Sequence, residues 1–391
     1  MKGNFTYYNP TKLIFGKDAL NKLPEELKPY GNRILLVYGG GSIKKNGIYD
    51  AIIKILKENN KEVFEDNGVM PNPTYEKLLG GIKIARENKI DFILAVGGGS
   101  VIDYSKALSA SINLDSDPWE HYFIKQEECT CEYIPVGAIL TMVGTGSEMN
   151  GGSVITNPSQ KLKIGNVFGP YMNPKFSILN PEFTYSVPQY QMIAGIYDAF
   201  NHICEQYFSD GEDCSSDYIM EGLMRSLISS SRVAIKNPLN YEARSNIMWD
   251  ATWALNTLVE KGKTTDWMVH MIGQAIGAVT NATHGMTLSS VSIAYYNYVL
   301  KYGIPQFKKF ALNVWNVNPV NKTDEEIALE GISNMKNWME EIGLVMDVTT
   351  LGVTKDNLED CVNATILFDG AGFKTLTKDD VRNIIVNSMK K

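Results

Sequence analysis

The first part of the chain alternates short apolar runs with longer amphipathic segments. Four short runs rich in β-branched or aromatic residues predict strands, namely 33–38, 61–66, 92–96 and 132–140. The segments between them have helical spacing, at 46–60, 74–89 and 101–113. Continuous apolar strands separated by helices are typical of a parallel sheet that is covered on both faces. We therefore expect an α/β domain of the nucleotide-binding type.

Towards the middle of the chain the pattern changes to long amphipathic segments, and strand-like runs nearly disappear. In one such segment Ile219, Leu223 and Leu227 recur every four residues, as the apolar face of a helix does. Pro181 and Pro188 interrupt the periodicity at the point of change, which indicates a domain boundary. The two predicted domains are an α/β domain, 1–187, and an all-α domain, 188–391.

Composition narrows the class of protein. A chain of 391 residues suits about two domains, and a hydrophobic fraction of 44% is ordinary for a globular protein. The net charge of −7 is spread without long runs, which argues against nucleic acid or an anionic membrane as a partner. No apolar stretch approaches the roughly 20 residues that cross a bilayer, and no signal peptide is recognisable. The five cysteines fit no disulfide framework, so we expect packing or surface thiols and a cytoplasmic protein.

Two predicted strands run directly into the tetrapeptide Gly-Gly-Gly-Ser, at 39–42 and at 97–100. Glycine lets backbone N–H groups approach a phosphate, and the helix that follows points its positive end at the same place. Neither loop is a strict G-x-G-x-x-G motif, because Lys44 and Ile102 replace the third glycine. Tight strand–helix turns are the alternative interpretation. A third polar loop, 141–148, follows the next strand, and the three loops together favour phosphate binding.

The first glycine loop also bears on the choice of nucleotide. Many NAD-selective folds place Asp or Glu where the adenine ribose binds, so that the carboxylate accepts the 2′-hydroxyl. This chain has Gly39 at that place, followed by Ser42, Lys44 and Lys45. Nothing in this stretch repels a 2′-phosphate, and two cations and a hydroxyl can receive it. We predict a preference for NADP(H), with NAD(H) as the other possibility.

Three of the four histidines stand with one aspartate in a pattern that indicates a metal site. Asp198 and His202 are four residues apart, which puts both side chains on one face of a helix. His270 and His284 are fourteen apart, so we expect a helix with His270, a break near residues 280–283, and His284 at the next element. Three imidazoles and one carboxylate suit Fe²⁺ or Zn²⁺ better than Mg²⁺ or Ca²⁺. Histidines satisfied within an apolar core are the alternative.

A metal ion beside a nicotinamide indicates a reaction. The ion would polarise an alcohol or carbonyl oxygen, and hydride would move between the substrate carbon and the cofactor. No Ser-His-Asp or Cys-His arrangement stands out as an alternative source of catalysis.

Several long motifs, in this order along the chain, resemble the iron-containing (group III) alcohol dehydrogenases, in particular the butanol dehydrogenase and aldehyde reductase branch. The motifs that carry the resemblance are "PTKLIFGKDAL", "YGGGSIKKNGIYD", "PNPTYE", "AVGGGSVIDYSKAL", "DPWEHY", "TGSEMN", "DAFNHICEQYFS", "YEARSNIMWDATWALN" and "DWMVHMIGQAIGA". The resemblance implies a Rossmann-like dinucleotide-binding domain, a helical metal-binding domain, an active site in the cleft between them, and a homodimer.

The resemblance also assigns site residues. The implied ligands of a single Fe²⁺ or Zn²⁺ ion are Asp198, His202, His270 and His284. The implied cofactor contacts are Gly39, Gly40, Gly41, Ser42, Gly97, Gly98, Gly99, Ser100, Asp103, Thr141, Met142, Thr145, Asn150 and Lys163. In one respect the chain departs from the family. Members commonly carry a further histidine four residues after the third ligand, proposed to relay a proton, and here that residue is Gln274, whose role is open because an amide does not titrate near neutral pH.

The expected function is a metal-dependent alcohol dehydrogenase or aldehyde reductase that acts on short-chain aliphatic aldehydes or primary alcohols. A polyol dehydrogenase of the glycerol type is the alternative with the same architecture. A non-catalytic sensor that binds the cofactor is the alternative of another class. In that case Gln274 would be the first sign that the chain has lost catalytic activity.

Overall fold

The computed structural model describes residues 3–209, 214–368 and 372–389. The chain divides into two compact units, one of residues Tyr8–Val187 and one of Pro188–Lys391 with Met1–Tyr7. Within the described ranges, no helix is long and apolar enough to cross a membrane.

The first unit is an α/β layer structure. Its strands are β1 (Lys12–Phe15), β2 (Arg33–Tyr38), β3 (Glu62–Asp66), β4 (Phe92–Gly97), β5 (Val136–Leu140), β6 (Gly152–Asn157), β7 (Leu162–Val167) and β8 (Phe176–Leu179). Its α-helices are α1 (Leu23–Leu27), α2 (Ser42–Lys45), α3 (Ile48–Glu58), α4 (Tyr75–Glu87) and α5 (Gly99–Ser111), and a π-helix spans Trp119–Ile124. Six strands form a parallel sheet in the order β1-β8-β5-β4-β2-β3, and β6 pairs with β7 in a separate antiparallel hairpin.

The order of the strands places the polar loops together. β4 lies between β2 and β5, and all three run in the same direction. Their carboxyl ends therefore meet at one edge of the sheet, where ligands of open α/β sheets bind. The two Gly-Gly-Gly-Ser loops and the loop after β5 all leave the sheet at that edge.

The four predicted strands are all present, but the prediction was wrong in two respects. The last of them begins at Val136 rather than at residue 132. Four further strands, β1, β6, β7 and β8, were not predicted. β1 and β8 are only four residues long, and the hairpin strands mix polar residues with glycine, so none of them gives a clear apolar run.

The second unit is helical throughout its described residues. Its α-helices are α6 (Gln189–Tyr207), α7 (Ser215–Lys236), α8 (Tyr241–Ala254), α9 (Met268–Thr280), α10 (His284–Val299), α11 (Ile304–Asn313), α12 (Asp324–Ile342), α13 (Leu358–Ala364) and α14 (Lys378–Asn387). The predicted fold class, an α/β domain followed by an all-α domain, is confirmed.

The apolar stripe predicted on α7 is correct at Leu227, but it is wrong at Ile219, and Leu223 is only half-buried. Ile219 is 44% exposed, whereas Met220, Met224 and Leu227 are buried. The buried face also includes Asp217, whose carboxylate is paired with lysines, and this polar residue makes the buried face difficult to recognise in the sequence.

The five cysteines have free thiols, and Sγ of Cys129 and Sγ of Cys131 lie 3.8 Å apart.

Candidate metal and cofactor sites

Three helices of the second unit bring the predicted metal ligands together. α6 is buried on every side from Met192 to Tyr207, so the polar side chains on it lie inside the domain. Asp198 and His202 are one turn apart on this helix, His270 lies in the first turn of α9, and His284 is the first residue of α10. The break between α9 and α10 falls where the sequence predicted it, and Asn281 ends α9 in a left-handed conformation.

Glycine makes this close approach of helices possible. A Cβ atom on Gly285 would lie 2.0 Å from the carbonyl oxygen of Ala194, so no side chain fits where α10 begins beside α6. A Cβ atom on Gly273 would lie 2.6 Å from Cδ2 of Leu288, which keeps α9 and α10 equally close. The two glycines therefore let His270 and His284 reach the residues on α6.

The distances within the cluster are compatible with the coordination of one metal ion. The Nε2 atoms of His202, His270 and His284 lie 3.6, 3.5 and 3.7 Å from Oδ1 of Asp198. Bonds of about 2.1 Å to a tetrahedral ion would separate ligand atoms by about 3.4 Å. Oδ1 of Asp198 and Nε2 of His270 are buried and have no hydrogen bond among the described residues. The cluster therefore fits one Fe²⁺ or Zn²⁺ ion better than it fits a satisfied core.

The charges of the cluster influence one another. Burial would raise the pKa of Asp198, but the three imidazoles around it lower that pKa well below its usual range. Burial would lower the pKa of His270, but the carboxylates of Glu205 and Asp198 raise it to about 9. A metal ion must displace a proton to bind such an imidazole, so metal binding becomes more favourable as the pH rises.

Glu205 is a residue of this cluster that the sequence analysis missed. Its fully buried carboxylate accepts a hydrogen bond from Nδ1 of His270, on the side of the ring opposite the cluster. The one available signal was a second acidic residue, after Asp198, in a helix that is otherwise mostly apolar or amide-bearing. Gln274, one turn after His270 on α9, is 7% exposed, and its side chain has no hydrogen bond among the described residues.

In the α/β unit, the second glycine loop is packed against the third polar loop. Gly98 caps α5, and Gly99 and Ser100 form its first turn, where backbone N–H groups have no helical partner. A Cβ atom on Gly99 would lie 2.2 Å from Oγ1 of Thr145, and one on Gly98 would lie 3.0 Å from Cβ of Met142. The structure thus brings Met142 and Thr145 against the amino-terminal end of α5.

Other predicted cofactor contacts lie close to these loops. The N–H of Thr141 donates to the carbonyl oxygen of Gly97 (2.9 Å), which places the start of the third loop beside the second. Gly39 and Gly40 follow β2, Gly41 has a φ of +96°, which favours glycine, and Ser42 begins α2. Nζ of Lys163 on β7 donates to Oδ1 of Asn72 (2.7 Å).

Asp103 and Asn150 are engaged in holding the third loop. Asp103 accepts hydrogen bonds from Oγ of Ser147 (2.5 Å) and from the N–H of Val154 (3.0 Å). Oδ1 of Asn150 accepts a hydrogen bond from Nζ of Lys106 (3.1 Å). Lys106 is fully buried, and the sequence did not identify it as a residue of this region. Burial lowers the pKa of Lys106 to about 8, although Asp103 opposes the shift. These residues shape the loop, and direct contact of either one with a cofactor stays a prediction.

A carboxylate from outside the first glycine loop lies beside one of the two lysines on which the predicted preference for NADP(H) rests. Glu65, near the end of β3, lies 3.5 Å from Nζ of Lys44. The same carboxylate accepts hydrogen bonds from the hydroxyls of Tyr38 and Tyr49, and both rings face the Lys44 ammonium. The carboxylate of Glu65 therefore partly offsets the positive charge of Lys44. The sequence concealed this because β3 pairs with β2 through residues that are far apart along the chain, as Arg33 and Glu62, 29 positions apart, illustrate.

Comparison with known proteins identifies the family. The family described as "Iron-containing alcohol dehydrogenase" matches residues 10–181, and "Fe-containing alcohol dehydrogenase family, C-terminal" matches residues 192–389. A probable NADH-dependent butanol dehydrogenase 1 of Bacillus subtilis (strain 168) is 40% identical and aligns over 99% of this chain and 100% of its own length. The chain belongs to the iron-containing alcohol dehydrogenase family.

Relatives within the iron-containing alcohol dehydrogenase family differ in the cofactor that their names give. The NADPH-dependent aldehyde reductase YqhD of Escherichia coli (strain K12) is 36% identical over 90% of this chain and 89% of its own. The crystal structure of NADH-dependent butanol dehydrogenase A from Thermotoga maritima superposes with a TM-score of 0.94, at 34% identity and 99% coverage of both chains.

Proposed function

We propose that this protein is an NAD(P)-dependent alcohol dehydrogenase that reduces short-chain aliphatic aldehydes, or oxidises the corresponding primary alcohols, by hydride transfer. The observation that carries the proposal is the approach of three imidazole nitrogens to one buried carboxylate oxygen, at 3.5–3.7 Å. The names of the relatives, butanol dehydrogenase and aldehyde reductase, support the substrate class.

The proposed roles of the chain's own residues follow from the geometry. Asp198, His202, His270 and His284 would hold Fe²⁺ or Zn²⁺. When bound, such an ion supplies a Lewis acid for the substrate oxygen. The N–H groups at the start of α5 would bind the cofactor phosphates, and the third loop would cover them. The proposed functional domains are dinucleotide-binding, 1–187, and metal-binding, 188–391.

The preference for NADP(H) is a separate proposal. Ser42, Lys44 and Lys45 support it, because they offer a hydroxyl and two cations to a 2′-phosphate. Glu65 opposes it, because its carboxylate lies beside Lys44. The measurement is the ratio of kcat/KM with NADPH to that with NADH at one butanal concentration. Comparable values for the two cofactors would contradict the preference.

The decisive experiment uses butanal and NADPH, followed by absorbance of the reduced nicotinamide. Turnover should disappear after chelation and return when Fe²⁺ or Zn²⁺ is added, with metal analysis of anaerobically purified protein to identify the ion. Glycerol in the same assay tests the polyol alternative. Tight NADPH binding without turnover on any aldehyde would favour the sensor.

Two further proposals concern the state of the protein. A homodimer and a cytoplasmic location are supported only by the family resemblance and by composition. Sedimentation equilibrium would test the dimer, and a single species at the monomer mass of 43.6 kDa would contradict it.

A further inference from the structure

Behind the metal cluster lies a carboxylate that the reaction itself does not use. The side chain of Glu205 is 0% exposed, on the same helix as Asp198 and His202 but turned towards the far side of His270. An ionised group buried in this way is costly unless every lone pair is satisfied. The hydrogen-bond partners of Glu205 therefore indicate its role.

The partners fix the orientation of the carboxylate. Oε1 accepts a hydrogen bond from the backbone N–H of His270 (3.1 Å), and Oε2 accepts one from its Nδ1–H. Oε2 also accepts one from Nδ2 of Asn201 (2.8 Å), and the Asn201 amide is itself held by the hydroxyl of Tyr296 (2.8 Å). Both oxygens of Glu205 thus accept hydrogen bonds from His270, one from its backbone and one from its ring. The further hydrogen bond from Asn201 fixes the orientation of the carboxylate.

This arrangement has a definite effect on the imidazole. With Nδ1 donating to Glu205, the lone pair of the ring is on Nε2, which is the atom 3.5 Å from Oδ1 of Asp198. We propose that Glu205 is a positioning residue, which fixes the tautomer and ring orientation of His270 and thereby strengthens metal binding. The inference rests on the proposed metal centre and adds to it a residue outside the ligand set.

The charge of Glu205 contributes as well as its hydrogen bonds. Asp198 and Glu205 place one carboxylate on each side of the His270 ring. Together they would balance the two positive charges of a divalent ion held by the cluster. A neutral amide at position 205 would keep an acceptor for Nδ1–H but lose this balance, so it should weaken metal binding without removing the ligand.

The helical unit contains a matched control. Glu221 on α7 is also buried, at 3% exposed, and accepts hydrogen bonds from the hydroxyl of Tyr207 (2.7 Å) and from Nδ2 of Asn313 (2.9 Å). Glu221→Gln also removes a buried carboxylate, but the two hydrogen-bond partners of Glu221 are not proposed metal ligands. This variant therefore measures how far the loss of any buried carboxylate in this domain weakens metal binding.

The experiment measures affinity for Co²⁺ alone, by competition with a chelator and by the visible absorption of the bound ion. Glu205→Gln should bind Co²⁺ 10- to 100-fold more weakly than the wild type, following the usual effect of removing such a partner. Glu221→Gln should bind as the wild type does. An equal loss in both variants, or no loss in Glu205→Gln, would overturn the proposal. If the wild type binds no metal, the proposed function fails with it; if only the difference between variants is missing, the proposed function stands.

A second measurement needs no variant. In the Co²⁺-loaded wild type, the ligand histidines should give hyperfine-shifted proton resonances. The Nδ1–H of His270, bonded to a fully buried carboxylate, should persist after transfer to D₂O. Loss of every exchangeable shifted resonance immediately after transfer would refute the hydrogen bond on which the proposal stands, whether or not Glu205→Gln folds.

Discussion

Replacing Gly285 with alanine tests whether close contact between α6 and α10 builds the metal site. The added Cβ atom would lie 2.0 Å from the carbonyl oxygen of Ala194, and 2.6 and 2.9 Å from its C and Cα atoms. All three are backbone atoms, so no side-chain rotation relieves the overlap. A normal carbon–oxygen contact needs about 3.2 Å or more, so α10 must shift by about 1 Å at its first turn.

The displacement of α10 should lower both the stability of the protein and its affinity for metal. Overpacking of this kind costs about 1–3 kcal/mol of unfolding free energy. His284 is the residue immediately before Gly285, and its Nε2 already lies 3.7 Å from Oδ1 of Asp198. A further displacement of about 1 Å takes that ligand out of bonding range of a shared ion. We therefore expect Co²⁺ affinity to fall more than tenfold.

The assay combines urea denaturation of the metal-free protein with the Co²⁺ competition measurement. Gly222→Ala on α7 is the control, because a Cβ atom there meets no atom within 4 Å. That variant should bind metal normally and gain about 0.5–1 kcal/mol, since alanine favours the helix interior over glycine. Wild-type metal affinity and stability in Gly285→Ala would refute the reasoning that this contact positions His284.

Two further predictions concern pH. Burial raises the pKa of Asp250 to about 7, with only Ser226 opposing the shift, so the folded protein binds the proton more tightly than the unfolded chain. The contribution of Asp250 to stability should then fall as pH rises from about 4 to about 7, by up to about 4 kcal/mol. Asp250→Asn should make the decline in denaturation curves shallower without abolishing it, because burial also raises the pKa of Asp266 to about 7, while the exposed Asp356→Asn leaves the decline unchanged. Gln274→His should leave metal binding intact and change the pH profile of turnover, because histidine titrates near neutral pH and sits one turn from His270; an unchanged profile would argue against a proton relay at this position.

The sequence predicts the fold where a local pattern is sufficient. The strands β2, β4 and β5 are buried along nearly their whole length and give continuous apolar runs, so they are visible without the structure. The edge strand β3 is partly exposed and has only Val63 and Phe64 as an apolar centre. β8 is buried like β2, β4 and β5, but its four residues form too short a run. The hairpin of β6 and β7 depends on pairing between strands that mix polar residues, glycine and apolar residues without a regular alternation, and this pairing is not visible in either strand alone.

The sequence likewise predicts some parts of the candidate sites and not others. Asp198 and His202 share a helix face, and histidine is rare in this chain, so spacing and scarcity reveal the cluster. Lys44 was assigned a 2′-phosphate on local charge alone, and the assignment ignored Glu65 because the two are neighbours only once β2 and β3 are paired. Local charge in a loop therefore predicts a ligand poorly until the neighbouring strand is known.

Glu205 points to a rule that the sequence could have supplied. Its contact with His270 spans 65 positions and has no local spacing. Yet α6 is apolar enough to be buried on all sides, and a buried carboxylate requires a partner with a proton or a positive charge. Two acids and one histidine in such a helix leave at least one acid to be satisfied from another helix. The partner need not be a histidine, since the buried Asp217 of the same domain is satisfied by Lys263 and Lys309, so the charge balance of α6 indicates that a partner is required and the structure identifies it as His270.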